Sequence, residues 1–93
     1  MTTQRYDSIW DAVEDSAEQA ENMRLRAGLM IALEQYVTRN GMSQEQASKL
    51  IGVSQPRISN LMRGKINLFS LDMLVNMVAA AGLHVEMKIS EAA

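Results

Sequence analysis

The sequence predicts an all-α domain built around two short helices joined by a tight turn. Three observations carry that expectation. An apolar stripe with helical spacing runs through residues 16–39. Three further helical segments follow, each opened by serine and closed by glycine. The only strand-like alternation is HVEMKI, residues 84–89.

A chain of 93 residues suits one domain. The division expected is an acidic N-terminal arm over residues 1–15 and a domain over residues 16–93 that ends in a short strand. A domain this small buries only about 60–65% of its unfolded surface, so pairing with a second copy would help it.

In the first element, Asp15 or Ser16 opens a helix that runs to Arg39. Its stripe is Ala20, Met23, Ala27, Met30, Leu33 and Val37, at spacings of three and four, widened by Leu29 and Tyr36. Asn40-Gly41 stops it, because glycine accepts the left-handed conformation that closes a helix. Gly28 lies mid-helix, where glycine costs about 1 kcal/mol against alanine, and a close helix contact is one reason to keep it. Before this helix, Ser8 can cap a short turn, IWDAV.

The next three helices start alike. Ser43 opens QEQASKLI, and Gln46 completes a capping box. Ser54 opens QPRISNLM, and Ser70 opens LDMLVNMVAA. The apolar residue before each serine pairs with one four positions inside the helix: Met42 with Ala47, Val53 with Ile58, Phe69 with Leu74. Such staples fix the angle at which the chain enters a helix. Gly52, Gly64 and Gly82 follow as stops. With Ser54 as cap, Pro56 falls in the first turn, where an amide has no intrahelical acceptor. The chain's only proline therefore begins a helix.

In the tail, Val85, Met87 and Ile89 alternate with His84, Glu86 and Lys88. Two readings are open. The segment pairs with its copy across a two-fold axis, or it is an extended tail packed on the helices.

Charge is divided along the chain although the net is only −2. Residues 1–23 hold Arg5 against six acids, residues 24–71 hold seven basic residues against Glu34 and Glu45, and residues 72–93 hold Lys88 against three acids. A basic middle suits a polyanion, although solvated helix faces give the same pattern. There is no cysteine, which removes disulfides and thiolate metal sites and fits a cytoplasmic protein. One histidine, His84, is no metal site. The opening MTTQRYDS lacks the basic-then-apolar pattern of a leader, and no apolar run approaches the ~20 residues that cross a bilayer. No Gly-rich phosphate loop or nucleophile–base pair is present, so neither enzymatic activity nor a cofactor is expected. The eight methionines suit gaps in a core or interface.

Two helices joined by Ile51-Gly52-Val53 form a helix-turn-helix, which presents the start of its second helix to the DNA major groove. Gln55 can bond adenine and Arg57 guanine in bidentate fashion. Pro56 offers an apolar face to a thymine methyl. Ser59 and Asn60 share the exposed side. Ser43, Gln44, Ser54, Arg63 and Lys65 are the candidates for the phosphate backbone. For Gln55, Arg57 and Asn60 the bland alternative is solvated helix surface.

The run MSQEQASKLIGVSQPRISNLMRGKINLFSLDMLVNMVAAAGLHVEMKI resembles the Xre/Cro-type helix-turn-helix family, and within it the short HigA-like antitoxins. The resemblance extends over roughly residues 28–89. It implies a five-helix, lambda-repressor-like domain that dimerises on palindromic operators; the alternation of the tail would put that pairing on Val85, Met87 and Ile89. It also implies repression of its own operon and neutralisation of a RelE/HigB-type ribonuclease toxin, or else a stand-alone repressor without that partner. The family's base-reading positions fall on Gln55, Pro56, Arg57, Ser59 and Asn60, and its backbone positions on Ser43, Gln44, Ser54 and Lys65. Ile9, Trp10 and Val13, with Glu14 beside them, are either an anchor for the toxin or a short helix folded back on the core. The acidic run over residues 7–21 is either solvated surface or a dock for a basic toxin.

Overall fold

A computed structural model describes residues 16–91. Its helices are α1 (Ala17–Arg39), α2 (Gln44–Ile51), α3 (Gln55–Met62) and α4 (Leu71–Ala80), with a 3-10 turn at Ile66–Leu68 between the last two. α1 packs on α4, and α2 on α3.

Every helix starts at the serine that the sequence marks. The hydroxyls of Ser16, Ser43, Ser54 and Ser70 accept the amides of Gln19, Gln46, Arg57 and Met73 at 2.9–3.2 Å. Each satisfies one of the donors a helix start leaves unpaired. At α2 the box is complete, since the Ser43 amide donates to Gln46 Oε1 at 2.9 Å. Pro56 sits in the first turn of α3. α1 ends where expected: Gly41 is left-handed at φ 64°, and the Met42 amide reaches back to the Val37 carbonyl at 3.1 Å. Near the start of α1, the hydrogen bond and charge of Arg24 hold the Glu21 carboxyl below the usual carboxylate range.

The core joins Met30, Leu33 and Val37 of α1 to Ala47, Ile51, Ile58, Leu61, Phe69, Leu74, Met77, Val78 and Ala81. The inner member of each staple (Ala47, Ile58, Leu74) is completely buried, and Met42 and Val53 pack against the core. Met77 is buried, and Met62 and Met73 pack against the same cluster.

The structure corrects four expectations. The stripe on α1 is buried only from Met30 onward. Ala20 is exposed, and Met23 and Ala27 are half-buried, because the first turns of α1 lie beyond the buried cluster. Gly28 makes no close contact: a Cβ there meets nothing within 4 Å. The described residues hold four α-helices rather than five, and the expected IWDAV turn lies outside them. No strand forms among the described residues, and residues 84–89 belong to no ladder. An alternating segment needs a neighbouring strand to complete its hydrogen bonds, and the described residues of one copy supply none. The tail instead lies beside α1, with Leu83–Glu86 near Leu29 and Tyr36 and residues 87–91 near Glu21 and Leu25. Val85 packs against the core, whereas Met87 and Ile89 are 67% and 87% exposed.

Candidate nucleic-acid interface

The turn between α2 and α3 is locked from both sides. Gly52 is left-handed at φ 82°. The Ser48 carbonyl accepts the amides of Gly52 at 2.8 Å and Val53 at 3.2 Å, and the Ser48 hydroxyl donates to the Val53 carbonyl. Ala47 and Ile51 of α2 and Ile58 and Leu61 of α3 are buried beneath the turn. The angle between the two helices is thus fixed by packing and by three hydrogen bonds through one serine.

Burial of Ile58 and Leu61 decides what α3 shows to solvent. At about 100° per residue, Pro56, Ser59 and Asn60 lie on the opposite side, and Gln55 lies at its edge in the open first turn. Gln55 and Pro56 are exposed, and Ser59 and Asn60 half-exposed. These four form one polar strip with a rigid proline in it. Ser43, Gln44 and Ser54 are exposed at the starts of α2 and α3, where first-turn amides face outward. At the far end of the strip, Arg63 Nη2 donates to Asn60 Oδ1 at 3.3 Å, and Lys65 is exposed. Lys49, also exposed, pairs with Glu45 at 3.5 Å.

Arg57 does not join the strip. It lies on the flank of α3, half-buried, with its guanidinium 5.4 Å from the centroid of the Phe69 ring. Its Nη1 donates to the Leu68 carbonyl at 2.8 Å. A second arginine, Arg26 of α1, reaches the same loop, donating to the carbonyls of Ile66 at 3.3 Å and Phe69 at 3.1 Å. Neither Arg26 nor Ser48 stands out in the sequence. Ser48 leaves a faint local signal, a hydroxyl one helical turn before the stop glycine. Arg26 leaves none, because its acceptors are 40 and 43 residues away.

The candidate partner anchor Ile9, Trp10, Val13 and Glu14 lies outside the described residues. Among those described, no three His, Cys, Asp or Glu side chains are grouped to hold a metal, and no helix is long and apolar enough to cross a membrane.

Residues 12–90 match the family described as "Helix-turn-helix domain". The chain is similar to the solved structure of a "Putative XRE Family Transcriptional Regulator", with a TM-score of 0.71 and 30% sequence identity over 78% of this chain and 82% of that one. No curated protein matches the sequence.

Proposed function

The chain belongs to the helix-turn-helix domain family and is a DNA-binding regulator of Xre type; on that premise we propose that it represses transcription by reading a palindromic operator as a dimer. The observation that carries this is the exposed strip of Gln55, Pro56, Ser59 and Asn60 on a helix held by the Ser48 lock. α3 enters the major groove by its first turn. Gln55 and Asn60 bond base edges, and Pro56 rests on a thymine methyl. Ser43, Gln44, Ser54, Arg63 and Lys65 hold the phosphates on either side. The role is binding rather than catalysis, and its place is the cytoplasm. Anisotropy titration with the DNA upstream of the chain's own gene tests the reading. Saturable binding tighter than to scrambled duplex supports it, and equal affinity for both refutes it.

The dimer is proposed through the tail. Met87 and Ile89 are large, apolar and exposed, and residues 84–89 have strand alternation without a ladder. Pairing two such segments about a two-fold axis completes the hydrogen bonds and covers both side chains. Deleting residues 84–93 then gives monomers by light scattering, and a deletion that stays dimeric moves the interface elsewhere.

The finer role proposed is that of an antitoxin, which neutralises a RelE/HigB-like ribonuclease encoded beside it and represses the shared operon. Two features support this: the resemblance of roughly residues 28–89 to the HigA-like antitoxins, and the acidic surplus of residues 1–23, which complements a basic toxin. Co-expression with the adjacent gene's product tests it. Rescue of growth supports the antitoxin role, and its failure leaves a stand-alone repressor.

A further inference from the structure

The segment leaving the reading helix carries Arg63 and Lys65, both proposed to meet phosphates. It also turns three carbonyls, those of Ile66, Leu68 and Phe69, toward arginine side chains rather than toward water alone. Arg26 comes from α1 and takes two of them. Its Nε is steadied by Asn22 Oδ1 at 2.7 Å. Arg57 comes from α3, takes the third, and lies against the ring of Phe69, itself a core residue at 1% exposure. The two guanidiniums therefore grip one short loop from two different helices.

We infer that Arg26 and Arg57 act as a single clamp that sets the loop at residues 65–69 for DNA binding, and that Arg57 is a positioning residue rather than a reader of bases. This rests on the DNA-reading role proposed above. An Arg57 that already has a carbonyl at 2.8 Å and an aromatic face would have to give up both to reach a base. Charge-assisted hydrogen bonds are among the stronger ones a loop can have. Backbone carbonyls near a phosphate repel it, and capping them with guanidiniums reverses the sign of the surface that Lys65 extends. A loop fixed before DNA arrives also loses less entropy on binding.

The experiment uses the full chain and starts without a known operator. Duplexes are selected from a random-sequence pool with the unaltered protein, and the selected duplex becomes the probe. Arg26→Gln and Arg57→Gln should each weaken binding to that probe by about tenfold, the scale of a lost charge-assisted hydrogen bond. Each variant should still select the same bases at every position. The double variant should lose less than the product of the two single effects, because one loop is released only once. In the free protein, amide exchange at Leu68 and Phe69 should quicken in both variants. Arg57→Lys keeps the charge and serves if the glutamine variant fails to fold; circular dichroism melting reports that. A selected sequence that changes at one position per half-site in either Arg57 variant overturns the proposal and makes Arg57 a base reader. Arg26→Gln binding within about twofold of the unaltered protein also overturns it. A pool that yields no preferred sequence strikes the DNA-reading role itself, whereas unchanged loop exchange in a protein that does select a sequence strikes the clamp alone.

Discussion

The Ser48 hydroxyl donates to the carbonyl of Val53, across the turn that joins the two helices of the motif. The same residue's carbonyl takes the amides of Gly52 and Val53. Ser48 is half-buried, so Ser48→Ala leaves the Val53 carbonyl without its side-chain donor. The expected cost is about 1 kcal/mol, which lowers Tm by about 4–8 °C in a domain of this size. Thermal melting by circular dichroism measures it, and an unchanged Tm removes the lock from the account.

Gly28→Ala should act in the opposite direction. Gly28 is helical and exposed, and an added Cβ meets nothing within 4 Å. Alanine removes the entropy cost of glycine in a helix, a gain of about 0.5–1 kcal/mol. Chemical denaturation should show a higher midpoint at unchanged slope. A loss of stability would mean that α1 is packed differently near Gly28.

Lys65→Ala separates phosphate contact from base reading. Lys65 is exposed, and its own amide is tied to the Asn60 carbonyl at 3.0 Å, so the loop keeps its backbone bond when the side chain goes. Binding should weaken by a similar factor on every sequence. The slope of log K against log salt should flatten by about one unit. A change confined to some sequences would make Lys65 a base contact.

Much of this fold was legible because its signals are local. The four serine caps, the Gln46 box and the stops at Gly41 and Gly52 each act over three to five residues, and each holds in the structure, while the staple residues are all buried or packed against the core. Long-range relations were not legible. Periodicity gave the right face of α1 but not how far it is covered, and Ala20 stays exposed on the same stripe that buries Leu33. Exposed positions on α3 followed from the buried pair Ile58 and Leu61. The flanking place of Arg57 depends on where Phe69 comes to rest, and no pattern within α3 encodes that. Alternation in residues 84–89 marked a strand-like segment, yet a ladder is a property of two segments, and the described residues of one chain offer no second.

The central claim is that the outer strip of α3 chooses the bases. The most direct test is fluorescence anisotropy with a selected operator and its single-base variants, comparing the unaltered protein with Gln55→Ala. Gln55→Ala should cost about 1–3 kcal/mol and make binding indifferent to the base at one position in each half-site. Gln55→Ala binding with unchanged affinity and unchanged preference at every position would contradict it.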